Sequence, residues 1–153
     1  MKIFIFIFGL IMNTALLAKD NRLGVGINIG RPLGVSTLYW LDELHALDFG
    51  LGFIFSGNDR IDIYGNYLIH KNDQIKFEKF ALDWYFGGGL RIENEDKKND
   101  DEIHIGLRAP VGLRYRFQEN KPIDLNIEFA PILDLVEDID LDMHLLFGAR
   151  YYF

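Results

Sequence analysis

The sequence predicts an all-β protein: eight antiparallel, up-and-down strands closed into a transmembrane barrel, preceded by a signal peptide. Three observations predict it. Apolar and polar residues alternate with period two along most of the 153-residue chain, the signature of strands with two unlike faces. The closing segment Leu141–Phe153 shows it well: Leu141, Met143, Leu145, Phe147, Ala149, Tyr151 and Phe153 share one face, and the chain stops on an aromatic residue. No later segment is a continuous apolar run of transmembrane-helix length, and no convincing helical stripe is present.

The elements follow in order. Strand 1, Leu23–Gly30, sets Leu23, Val25, Ile27 and Ile29 against Gly24, Gly26, Asn28 and Gly30. Arg31-Pro32 turns the chain, because proline lacks a ladder donor. Strand 2 is Gly34–Leu41, and a polar turn follows at Asp42–His45. Strand 3, Ala46–Ser56, places Leu47, Phe49, Leu51, Phe53 and Phe55 on one side, and Ser56-Gly57-Asn58-Asp59 is a strong turn signal. Strand 4 is Ile61–His70, with Lys71–Lys79 as a polar connection. Strand 5 is Phe80–Ile92, and the charged run Glu93–Glu102 reads as a solvated loop. Strand 6, Ile103–Phe117, alternates most regularly, and Gln118–Lys121 is a tight turn. Strand 7 is Pro122–Leu133, and Asp134–Asp140 leads into strand 8.

Targeting and composition narrow the class. Lys2, the apolar run Ile3–Met12 and Ala15-Leu16-Leu17-Ala18 have the layout of a secretory signal peptide, so residues 1–18 are expected to be removed and 19–153 to form the barrel domain. The whole chain carries −7; removal of Lys2 leaves the remainder at −8, which argues against a nucleic-acid partner. There is no cysteine, so disulfides, thiolate metal sites and a lipidated N-terminal cysteine are excluded.

Two kinds of barrel share this alternation. A soluble, lipocalin-like barrel turns its apolar face inward around a small apolar ligand; a membrane barrel turns it out to lipid. Lysine is missing from the polar faces, whereas a water-facing sheet uses it freely. Gly24, Gly26, Gly50, Gly52, Gly87, Gly89, Gly106, Gly112 and Gly148 lie on those faces, where a narrow eight-stranded lumen needs room for inward side chains. Tyr39, Phe80, Tyr115, Phe117, Tyr151 and Phe153 sit near strand ends on the apolar face, as an interfacial girdle does. All three favour lipid.

The chain also resembles a family of small outer-membrane β-barrels of diderm bacteria, built like the transmembrane domain of the OmpA and OmpX proteins. The resemblance rests on Gly30-Arg31-Pro32-Leu33-Gly34, Tyr39-Trp40, Ala46-Leu47-Asp48-Phe49-Gly50-Leu51-Gly52, Tyr67-Leu68-Ile69-His70, Gly87-Gly88-Gly89-Leu90-Arg91, Arg108-Ala109-Pro110-Val111-Gly112-Leu113 and Arg150-Tyr151-Tyr152-Phe153. It implies export through the periplasm to the cell outer membrane. It also implies that Tyr151 and Phe153 belong to a C-terminal signal read by the barrel-assembly machinery. The family carries no agreed activity.

The candidate site is a structural ion-pair network in the lumen: Asp48, His70, Arg91, Arg108, Arg114, Arg116, Asp124, Glu128 and Arg150. Unpaired charges are costly in a narrow, poorly hydrated interior, so these should pair and plug it. A simple hairpin register sets Asp124 near Arg114, Arg116 and Arg150, and Asp48 opposite His70. Enzymes exist on this architecture, and a lipid A deacylase of the kind resembles a barrel with an H-x-S motif near the outer rim. None of His45, His70, His104 and His144 has Ser two residues on, so no catalysis is expected. Acidic residues crowd Glu93–Glu102 and Asp134–Asp142, but their spacing matches no EF-hand-like loop, and a solvated rim is the expectation. No cofactor or metal is expected. The partners are membrane lipid and lipopolysaccharide, and the chain should be a monomer.

Overall fold

The computed structural model describes residues 22–56, 58–76, 81–97, 100–117, 122–136 and 139–153; the expected signal peptide, Phe80 and the Gln118–Lys121 turn lie outside them. Nine strand segments follow in order: β1 (Leu23–Arg31), β2 (Leu33–Trp40), β3 (His45–Ser56), β4 (Asn58–Lys76), β5 (Ala81–Lys97), β6 (Asp100–Arg108), β7 (Val111–Arg116), β8 (Ile123–Asp134) and β9 (Asp140–Tyr152). Each pairs antiparallel with its neighbours, and β1 pairs with β9, which closes the sheet into a barrel. β6 and β7 both lie between β5 and β8, so together they make one staved position and the barrel has eight.

The break between β6 and β7 falls at Ala109-Pro110, inside the expected sixth strand. Pro110 has no N–H to give, and the ladder there is replaced by Gly87 N–H donating to Pro110 O (2.9 Å) and Ala109 N–H to Pro131 O (3.0 Å). Proline in a strand interior marks such an irregularity.

Two expected connections prove to be strand. Lys71–Lys76 continues β4 across a register shift and pairs Ile75 with Leu82. Its polar composition hides a bulged continuation of the ladder. Likewise β5 runs on to Lys97 and β6 begins at Asp100, so most of the expected solvated loop Glu93–Glu102 is a hairpin. Charge density pointed to solvent there, but the period of two turns Glu93 and Glu95 inward, where both are buried beside Arg60.

Which face points out is unambiguous. Phe49, Leu107 and Phe147 are 53%, 50% and 53% exposed, whereas Arg108 and Asp124 are 2% and 1% exposed. The interior is charged and the exterior apolar, the reverse of a soluble barrel holding an apolar ligand. The 12 residues of β8, at about 3.3 Å each and tilted about 40°, rise roughly 30 Å, enough for the apolar band of an outer-membrane barrel. The start of β1, the end of β9 and the turn at Leu41–Leu44 share one end of the barrel, the terminal end; the β1–β2, β3–β4, β5–β6 and β8–β9 connections share the other, the far end. Outward-facing aromatic residues, exposed or partly exposed, ring the terminal end. Trp84 and Phe86 form a stacked ring pair, and Tyr115–Phe117 and Tyr151–Phe153 edge-to-face pairs, with centroids 5.3, 5.0 and 5.0 Å apart.

Candidate functional site

The lumen gathers most of the charged and polar side chains of the described strands, and it is layered along the barrel axis. Near the terminal end it is largely apolar. Leu38, Ala46, Leu68 and Tyr85 form a buried cluster, flanked by Trp40 and Tyr152. His70 lies within it, 4.5 Å from the Trp40 ring and 5.0 Å from the Tyr85 ring, and both its ring nitrogens lack hydrogen-bond partners among the described residues. His70 does not face Asp48 as expected. The β3–β4 hairpin is tighter, pairing Ser56 with Asn58, so Asp48 meets Asn66, two same-face positions before His70.

Arginines bridge the wall above and beside this cluster. Arg114 binds Asp83 at 2.8 Å, lies 3.9 Å from Asp124, and places its guanidinium 4.5 Å over the Trp40 ring. Arg116 also reaches Asp83, at 3.0 Å, although its side chain is half exposed. Asp124 pairs in register with Arg116 and Arg150, but it accepts its short hydrogen bond from the Tyr152 hydroxyl, at 2.6 Å.

The middle layer holds two ion pairs. Arg150 binds Asp48 at 3.2 Å, and Asn66 donates to the other Asp48 oxygen at 2.9 Å. Arg108 binds Glu128 at 2.6 Å, Tyr85 donates to the second Glu128 oxygen at 2.9 Å, and the Arg108 guanidinium stacks 4.2 Å over Tyr64. These rings fit because glycines stand opposite them. A Cβ at Gly50 would overlap the Tyr64 ring, and one at Gly112 the Tyr85 ring. Small residues on the inner face therefore carry the volume of their large neighbours.

Toward the far end Arg91 is the hub. Its guanidinium meets Asp62 at 2.6 Å, Asp134 at 3.1 Å, Asp142 at 3.1 Å, and Glu93. Arg31 shares Asp142 at 3.2 Å, and Arg60 shares Glu93 at 3.2 Å. His144, fully buried, stands 3.5 Å from Asp62.

All nine sequence-selected residues thus lie on the inward-facing series, and eight belong to ion pairs, Arg116 with Asp83 at the terminal mouth among them; among the described residues, only His70, in the apolar cluster, does not. Sequence reasoning missed Asp62, Asp83, Glu93, Asp134, Tyr64 and Tyr85. Four of these were visible: Asp62, Asp83, Tyr64 and Tyr85 alternate onto polar faces of expected strands. Glu93 and Asp134 were hidden because they fall in segments that read as loops. Tyr151 and Phe153 lie on the outer face at the terminal end.

Among the described residues, these side chains form arginine–carboxylate pairs rather than a nucleophile set beside a base and an oxyanion donor. What this interior can do is neutralise buried charge and join strands to one another across the barrel.

Known structures share this architecture. The chain is similar to the N-terminal β-barrel domain of Pseudomonas aeruginosa OprF, with a TM-score of 0.72 and 17% identity over 88% of this chain and 98% of that one. It is also similar to Neisserial surface protein A (NspA), with a TM-score of 0.55 and 16% identity over 86% of this chain and 93% of that one. The fold is that of an OmpA-like outer-membrane β-barrel. No family model matches the chain, and no curated protein matches it.

Proposed function

We propose that this chain is an integral protein of the bacterial outer membrane with a structural or surface-interaction role, a lumen plugged by its own side chains, and no catalytic activity. The observation that carries the reading is the inversion of the barrel: an apolar outer band with aromatic ends around a charged, cross-linked interior. Water would penalise such an exterior, and lipid would not.

The rest of the proposal follows. Residues 1–18 serve as a signal peptide, the barrel crosses the periplasm, and Tyr151 with Phe153 is read by the assembly machinery. The outer band contacts lipid, and the far-end hairpins meet lipopolysaccharide at the cell surface. One closed sheet has no free edge to pair with a second copy, which favours a monomer.

Two measurements test this. Cell fractionation should place the protein in the outer membrane, with a heat-modifiable band on a denaturing gel; recovery as a soluble periplasmic or secreted protein would overturn the placement. In planar bilayers the plugged lumen should give no reproducible open conductance. Steady channels would refute the plug and leave the placement intact.

A further inference from the structure

Beyond the guanidinium network, one cluster at the far rim has the make-up of a coordination site. On the β5–β6 hairpin Glu95 pairs directly across from Glu102, and Glu93 across from His104. The ladder therefore carries Glu95, Glu102 and His104 to one spot on one face, and their ligand atoms all lie within 4.8 Å of one another. His104 Nε2 stands 3.7 Å from Glu102 Oε2 and 3.8 Å from Glu95 Oε2. Those separations exceed hydrogen-bond length. They approach the spacing around a small divalent ion: with bonds of about 2.0–2.2 Å, tetrahedral ligand atoms lie about 3.4 Å apart.

Two further features fit. Arg60 Nη2 holds Glu95 Oε1 at 3.4 Å, which leaves Oε2 turned to the imidazole, as an outer-shell partner orients a ligating carboxylate. The cluster is also graded in access: Glu95 is buried, whereas the side chains of His104 and Glu102 are 18% and 33% exposed. An ion could enter from the rim and keep a water in its fourth position.

We propose that Glu95, Glu102 and His104 bind a single divalent first-row transition-metal ion of the zinc type. An imidazole nitrogen with two carboxylates suits such ions, whereas calcium and magnesium take oxygen ligands throughout. The ion would clamp β5 to β6 at the far rim. The proposal concerns these three side chains and holds wherever the barrel resides.

The test is calorimetric titration of the untagged barrel, purified from membranes in detergent, with zinc chloride. Wild type should bind one equivalent. His104→Ala and Glu102→Gln should each weaken binding at least about tenfold, the lower end of what losing even an outer-shell partner costs. His45→Ala, which removes the other partly exposed histidine, should bind as wild type does, and excess calcium should not compete. Both rim variants should keep the heat-modifiable band, since Glu102 and His104 lie at the barrel's open end. If they do not, His104→Gln serves in their place. Absence of zinc binding to wild type, binding that survives His104→Ala, binding abolished by His45→Ala, or equal displacement by calcium would each overturn the site.

Discussion

At the scale of single residues, the interior is held by arginines paired with buried carboxylates. Glu128 is the sharpest case, because it receives both Arg108 and Tyr85. Replacing Glu128 with Leu strands a buried guanidinium and should cost about 3–5 kcal/mol. The double variant Arg108→Met/Glu128→Leu removes both charges and should recover much of that loss. Urea unfolding in lipid vesicles, run as a double-mutant cycle, measures it; additive losses would show that the two side chains do not act as a pair. Gly50 offers the steric counterpart. Gly50→Val drives side-chain atoms into the Tyr64 ring and should lose about 1–3 kcal/mol, or fail to give the heat-modifiable band. At the terminal end Asp42 organises the Leu41–Leu44 turn. It accepts from the Leu44 N–H at 2.8 Å and the His45 N–H at 2.9 Å, and these contacts, with the His45 ring, hold its carboxyl below the ordinary carboxylate range. A depressed carboxyl stabilises the folded state while ionised, so its contribution is complete above about pH 4 and fades as pH falls below that. Asp42→Ala should therefore lower the urea midpoint at pH 7 and lower it less at pH 3.

At the scale of elements, seven of the eight expected strands coincide with observed ones at their centres, and the sixth appears as β6 and β7. The reason is physical: a sheet with lipid-type surface on one side and charge on the other must alternate, and alternation is readable without knowing the fold. What was not readable came from residues whose composition and environment disagree. Glu93 and Glu95 look solvated until Arg91 and Arg60 are seen beside them; Arg91 lies two residues before Glu93 on the same strand face, but Arg60 arrives from a position fixed only by hairpin register. Register itself turned on the β3–β4 connection, where a tighter turn moved Asp48 away from His70 and left it to Arg150 across the barrel. That pairing joins β3 to β9, strands distant in sequence. Pro110 was likewise visible as a residue, but not as a break that the β5 and β8 ladders bridge.

At the scale of the whole molecule, the protein is one closed sheet turned inside out relative to water-soluble proteins. A charge placed on the outer band should then be penalised according to depth. Leu107→Arg, near mid-height, should destabilise the barrel in vesicles by about 2–4 kcal/mol, whereas Ile103→Arg, toward the far rim, should cost about 0–1 kcal/mol. The most direct test uses the lack of native cysteine. Single cysteines at Leu107, Phe147 and Asn126, spin-labelled in the barrel reconstituted into vesicles, report which medium each position meets. A lipid-facing outer band predicts that labels at Leu107 and Phe147 collide readily with oxygen dissolved in lipid and little with a water-soluble nickel chelate, while a label at Asn126 is shielded from both. Labels at Leu107 and Phe147 that collide chiefly with the nickel chelate would contradict it.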